Sequence, residues 1–315
     1  MKSNPKIGII VVNWNGFSDT CECLESLLRL NYPNYKIFVV DNNSENKEAD
    51  SLEKKFRNEK VEIIKNNTNL GYCGGNNIGF ARAKADGFEY TVILNNDTVV
   101  EENLLNSLIA KFDDDDIYAV GATIVEYSDR NTIQSRGMLI NKSNFTTQFI
   151  DHHKKVNSEQ IDVANSVSGC CFMVDNDKFD KELFDERFFC YYEENDLCLT
   201  IIERGGRISI AKDALVYHKV AISSNKLSGF SEYQMTKNIF LLQRKHAKGF
   251  QKILSFLRDF KDFLYRIKLM LKHKQLWIGP HIIRGYCHGL LIFMGVNPNK
   301  FRYKLSSRKT RLFFL

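Results

Sequence analysis

Residues 36–42 read KIFVVDN: four consecutive apolar side chains closed by Asp41 and Asn42. A run this short, rich in β-branched residues and stopped by turn formers, reads as a strand buried on both faces. The pattern recurs before it at IGIIVVN (7–13) and after it at VEIIKN (61–66) and YTVILNND (90–97). Segments of helical spacing separate or follow these runs: 18–30, with Cys21, Leu24, Leu27 and Leu28 on one face, then 47–57, 75–86 and 101–112. Strands alternating with helices predict a parallel, doubly wound α/β sheet.

Ligands of such sheets bind at the carboxyl ends of the strands. Each run ends in polar residues: Asn13 and Asn15, then Asp41 to Asn43, then Asn66, Asn67 and Asn69, then Asn95, Asn96 and Asp97. At any single end, Asn and Asp can simply be making a turn. Four such ends on one edge of one sheet point to a polar crevice. Further along, SVSGCCFMVD (166–175) and ISIAKDALVYHK (208–219) read as strands, and NDLCLTIIERGGR as a helix closed by Gly205 and Gly206. Residues 118–170 otherwise show only short mixed strands.

Asp97, at the end of a buried strand, is placed to hold a hard divalent cation that would neutralise a diphosphate. Its competing role is to cap a helix starting near Glu101. NLGYCGGNNIGFARAKADG (69–87) carries Gly71, Gly74, Gly75 and Gly79 in a loop running into a helix, where glycines permit close backbone approach to phosphate or sugar. It matches neither the phosphate loop nor the dinucleotide fingerprint, which sets aside ATPase and dehydrogenase readings. In YYEENDLC (191–198), Glu193 and Glu194 precede the helix as alternative chemical carboxylates, and Asp196 reads as a helix start.

In this order, IIVVNWNG, IFVVDNNS, NLGYCGGNNIG, LNNDT and YYEENDLC resemble the family 2 glycosyltransferases of GT-A fold, especially the rhamnosyltransferase branch, over residues 5–245. The resemblance implies an inverting enzyme that uses a dTDP- or UDP-linked sugar and a divalent metal, Mg²⁺ or Mn²⁺. It assigns Trp14 and Asp41 to the nucleobase, and Asn69, Gly75, Asn76 and Asn96 to the rest of the donor. Asp97 and His218 become the metal ligands and Glu194 the general base, with Glu standing where the family usually has Asp. The acceptor would be a glycan or lipid-linked hydroxyl in cell-surface polysaccharide assembly. The rival readings are a sugar-1-phosphate nucleotidylyltransferase and a non-catalytic glycan-binding scaffold.

Charge divides the chain. Residues 244–315 hold 17 of the 44 Lys+Arg and 2 of the 38 Asp+Glu, a local balance of +15 against −9 for the rest. A catalytic domain over 1–245, with a donor half to about 120 and an acceptor half beyond it, followed by a basic helical tail over 246–315, is therefore expected. Within the tail Phe250, Ile253, Leu257, Phe260, Leu264, Ile267 and Leu271 recur at alternating spacings of 3 and 4, an amphipathic helix. Its stripe could pack on the body, form a dimer seam, or lie on an anionic membrane. Nucleic acid is set aside because the body is acidic and no reader motif is present. Scattered cysteines without a C-x-x-C pair, a first apolar run too short for a signal peptide and no span-length apolar stretch predict a cytoplasmic protein, which the membrane reading of the tail would place peripherally at the inner face of the cell membrane.

Overall fold

A computed structural model describes residues 4–159, 164–219 and 228–301; the end of the expected tail, 302–315, lies outside the described residues. The four runs form strands β1 (Ile7–Asn13), β2 (Tyr35–Asp41), β3 (Val61–Lys65) and β4 (Tyr90–Asn95). They pair in parallel in the order β3-β2-β1-β4. Helices α1 (Phe17–Leu27), α2 (Glu48–Lys55) and α3 (Gly71–Ala85) make the crossovers, and α4 (Leu104–Ile109) follows the fourth strand end. The sheet continues through β10 (Cys171–Asp175), antiparallel to its neighbours β4 and β6 (Ile117–Glu126), then β11 (Arg207–His218) and β5 (Thr98–Val100). β7 (Ile133–Ser135) adds to β6, and β8 (Met138–Ile140) pairs with β9 (Thr147–Phe149) as a separate ribbon.

Both faces of the sheet are covered, as the continuous apolar runs demand. Ile7, Ile9 and Val11 of β1 join Leu24 and Leu27 of α1 in one apolar cluster, while Ile10 turns to Phe80 of α3 in the other. This is the mixed α/β, mostly parallel sheet expected from the alternation.

Two boundaries differ from expectation, and both differences bear on function. First, α3 begins at Gly71 rather than near residue 75, so Gly74, Gly75 and Gly79 lie inside the helix instead of in a loop. A Cβ at Gly79 would stand 2.6 Å from Ile10 Cγ2, and one at Gly75 3.0 Å from Val12 Cγ1. These glycines let α3 sit close on β1; their absent side chains serve helix–sheet packing. Second, α5 (Glu193–Glu203) takes Glu193 and Glu194 into its first turn.

Beyond the sheet, α6 (Ser228–His246), α7 (Phe250–Lys272) and α8 (Gly279–Phe293) complete the described chain. Tyr286 and Ile292 of α8 share an apolar cluster with Phe240 to Leu242 of α6. The long stripe of α7 is not what packs inward. Ser255 and Asp259 are its buried residues, whereas Phe250, Ile253, Leu257, Phe260, Leu264 and Leu271 are exposed. No described helix is long and apolar enough to cross a membrane.

Candidate active site

A cavity of about 720 Å³ opens at the carboxyl ends of β1, β2 and β4. Trp14, Asn15, Asn42, Asn69, Asn95, Asn96 and Asp97 line it from the strand ends, and Glu193, Glu194 and His218 line it from the second half of the chain. The asparagines hold the rim together. Asn42 Nδ2 donates to the Gly71 carbonyl at 2.8 Å, and Asn66 Nδ2 donates to Asn42 Oδ1 at 2.8 Å. Asn96 Nδ2 donates to Thr20 Oγ1, which in turn donates to Asn13 Oδ1.

Of the expected donor contacts, Asp41, Gly75 and Asn76 do not line the cavity. Asp41 is 3% exposed, with its carboxylate accepting from Asn13 Nδ2 at 2.8 Å and from the Ser44 backbone N–H at 3.0 Å. Asn76 is fully buried and donates to the Tyr72 carbonyl one turn back. Its neighbour Asn77 pins residues 183–184 through both ends of its amide. The paired asparagines of the glycine-rich segment thus scaffold the site from within α3.

The helix that Asp97 was to cap starts only at Leu104, with Asn103 at its cap position. Asp97 instead sits between β4 and β5, where β11 brings His218 beside it: Nε2 to Asp97 Oδ1 is 3.3 Å. Gln134 Oε1, 2.9 Å from His218 Nδ1, takes the hydrogen on that nitrogen and leaves Nε2 as the ring atom facing Asp97. A carboxylate oxygen and an imidazole nitrogen at this separation suit two neighbouring ligands of one divalent cation at about 2.1 Å each. Among the described residues no group of three or more His, Cys, Asp or Glu could hold a metal ion. The two donors therefore fit a cation that also draws ligands from a substrate diphosphate and water, as Mg²⁺ commonly does. Just beyond, Lys219 is held by Asp19 at 2.7 Å and Glu22 at 2.6 Å.

The opposite wall depends on a strained turn. Phe189, Tyr191 and Tyr192 all have φ between 66° and 72°, conformations that cost on the order of 1–3 kcal/mol each for side chains of this size. The fully buried Asn238 of α6 holds the turn: its Nδ2 lies 2.9 Å from the Phe188 carbonyl, 2.8 Å from that of Cys190 and 2.9 Å from that of Tyr191. Tyr191 Oη meets Ser231 Oγ at 2.8 Å. The turn delivers Glu193 and Glu194 at the start of α5. Glu193 is 6% exposed, and burial, reinforced by Glu194, drives its carboxyl well above the usual range. Glu194 is only partly buried; desolvation raises its carboxyl to about 7, against the pull of its own and Asn195's backbone N–H groups. A carboxyl balanced near neutrality can take a proton from a substrate hydroxyl.

Asp196 has a structural role, though not as a cap. Its carboxylate accepts from Lys245 Nζ at 2.6 Å and lies 2.8 Å from His246 Nε2, which ties α5 to α6. Sequence reasoning passed over Gln134, Ser135, Met138, Phe149, Tyr191 and Phe230, which also line the cavity. Four of these come from the stretch whose pattern is mixed, and no spacing rule marks them.

The sequence model of glycosyl transferase family 2 matches residues 8–183. The chain belongs to this family. Within glycosyl transferase family 2, the chain is 30% identical over 128 residues to a hyaluronan synthase of Streptococcus pyogenes, covering 38% of this chain and 30% of that protein. It thus spans about a third of the length of that relative. A dTDP-rhamnosyl transferase, RfbF, of Shigella flexneri is 24% identical over 253 residues, 77% of this chain and 81% of the relative. The fold of this glycosyl transferase family 2 member matches a mannosyltransferase, PcManGT, from Pyrobaculum calidifontis, solved with GDP-Man and Mn²⁺ (TM-score 0.58, 13% identity, 92% and 88% of the two chains). It also matches S. aureus TarS 1–349 in complex with UDP-GlcNAc (TM-score 0.56, 17% identity, 89% and 79%). The architecture is GT-A.

Proposed function

We propose that this chain is an inverting, metal-dependent glycosyltransferase that moves a sugar from a dTDP- or UDP-linked donor to a hydroxyl of a glycan or lipid-linked acceptor in cell-surface polysaccharide assembly. The observation that carries this reading is the meeting of Glu194 with the Asp97–His218 pair around one cavity. RfbF supports the choice of donor, since the match runs through most of both chains and that protein is named a dTDP-rhamnosyl transferase. A hexose or N-acetylhexosamine donor remains within the same proposal, given TarS with UDP-GlcNAc.

In the proposed reaction Glu194 accepts the proton of the acceptor hydroxyl while that oxygen attacks the anomeric carbon. The bond from that carbon to the diphosphate breaks on the opposite side. One carboxylate and one displacement invert the anomeric centre. Asp97 and His218 would hold Mg²⁺ or Mn²⁺, which when bound neutralises charge on the departing nucleoside diphosphate. Trp14 offers an indole face to the base, and Asn69 and Asn96 offer amides to the donor from the strand ends. The eight cysteines are all free thiols, which fits a cytoplasmic site of action.

The test is donor turnover with dTDP-rhamnose, UDP-glucose and UDP-GlcNAc, with and without Mn²⁺. Metal-dependent release of nucleoside diphosphate is the expected result. Release of pyrophosphate from a sugar 1-phosphate and nucleoside triphosphate would instead favour a nucleotidylyltransferase, and binding without turnover a scaffold.

A further inference from the structure

The tail carries an apolar surface that nothing in the described chain covers. α7 faces the body through Asp259, which is buried, through Arg266, which reaches Glu232 at 2.7 Å, and through Phe263, which stacks on Tyr286 with ring centroids 4.4 Å apart. Its outer side presents Phe250, Ile253, Leu257, Phe260, Leu264 and Leu271, each 45–67% exposed. Leu276 and Trp277, just past the helix, extend the same exposure at 61% and 56%. An uninterrupted apolar stripe left to water marks an interaction surface, because each side chain forgoes burial that turning the helix over would have supplied.

Charge decides the occupant. Lys252, Lys261, Lys268 and Lys272 are exposed on α7, and none has an ion-pair partner among the described residues. At 100° per residue, Lys261, Lys268 and Lys272 fall within about 60° of Leu257, alongside the stripe itself. Lys274, just past the helix, is exposed as well. The two acids of the helix are already taken, Asp259 by Arg258 and Asp262 by Arg266 at 2.7 Å. Two copies of this face laid together would bring lysine rows into apposition without a carboxylate between them. An anionic lipid surface answers both features at once: the stripe enters the acyl boundary, the lysines lie at headgroup level, and Trp277 suits the interface.

We propose that α7, with Leu276 and Trp277, is a docking surface for anionic membranes, seated in the interface plane without spanning it. The inference is independent of the donor chemistry. In co-sedimentation of the full chain with phosphatidylcholine vesicles, adding phosphatidylglycerol is expected to produce binding that weakens as salt rises. Combined Lys261→Gln, Lys268→Gln and Lys272→Gln should lower vesicle affinity on the order of 100-fold, about fivefold per lysine. Combined Phe260→Ser and Leu264→Ser should abolish binding while leaving donor hydrolysis and thermal stability unchanged, since both side chains are already exposed. The proposal is overturned if the chain ignores phosphatidylglycerol, or if the Ser pair converts a dimer in solution to a monomer without changing vesicle binding.

Discussion

His218 Nε2 stands 3.3 Å from Asp97 Oδ1, held there by Gln134 on the far side of the ring. The two residues lie in separate halves of the sequence and meet because β11 pairs with β5 in register, His218 against Thr98. Asp97→Asn and His218→Ala should each weaken Mn²⁺-dependent donor binding by at least about tenfold, read by calorimetry with and without metal. Gln134→Ala should act in the same direction, by about 10–100-fold, because losing a partner that orients a metal ligand commonly costs that much in metal affinity or activity. Equal donor affinity in the presence and absence of Mn²⁺ would remove the pair from the site.

Glu194→Gln keeps the shape of the side chain and removes its ability to take a proton. Turnover should fall about 10²–10⁴-fold while donor affinity stays within about twofold. Because burial lifts the Glu194 carboxyl to about 7, the base is protonated and idle at low pH. Turnover of the native chain should therefore rise through about pH 7, and a profile flat from pH 5 to 8 would assign the proton to another group.

Asn238 holds three carbonyls of a turn whose residues sit at positive φ. Asn238→Ala removes those donors from buried acceptors and should cost about 2–4 kcal/mol, measured by urea unfolding. It should also lower turnover more than donor binding, since the turn leads into Glu194 while Trp14 and Asn96 ride on other strand ends.

The ion network between α5 and α6 predicts how stability follows pH. For His246, burial is the largest influence and lowers the pKa, but Asp196 and Glu203 together outweigh it and the net shift is upward. A raised histidine contributes stability below about 6.5 that is lost as pH climbs through its folded value. For Asp185, burial raises the pKa and Arg187 with Lys245 overcome it, so its contribution is present above about 4 and lost in acid. The raised carboxyls of Glu194 and Asp259, at about 7 and about 6, cost stability progressively as pH climbs from about 4 to those folded values. Unfolding free energy should peak at about pH 4 to 5 and decline from there toward pH 8. His246→Asn should flatten that decline.

Gly79→Ala sets a methyl group 2.6 Å from Ile10 Cγ2, between α3 and β1. The expected cost is about 1–3 kcal/mol of overpacking, seen as a lower urea midpoint at unchanged slope. If those glycines served only to admit phosphate, stability would not change.

The strand and helix alternation was legible because it is a local property: short apolar runs stopped by Asn and Asp form strands wherever their partners lie, although β3, at the edge of the sheet, is only partly buried where a buried strand was expected. The strand-end positions of Asn96 and Asp97 followed from the same pattern, and the resemblance to a known family singled out His218 and Glu194. The glycine-rich segment misled in part because a glycine reads alike whether its missing Cβ admits a ligand or a strand. Only the contact between Gly79 and Ile10 separates the two.

What the sequence by itself determined, then, is the alternation of strands and helices along the first half of the chain, the polar edge and the amphipathic character of α7. What only the tertiary structure decided is which groups face one another: Asp97 with His218, Asn238 with the turn before Glu194, and α7 with its charged side inward and its apolar side to solvent. Periodicity states that a helix has two faces, and the energy of the whole assembly selects the one that is covered. Here the inward face found Tyr286 and Glu232, and the residues that would have had to welcome Leu257 and Leu264 are not opposite them.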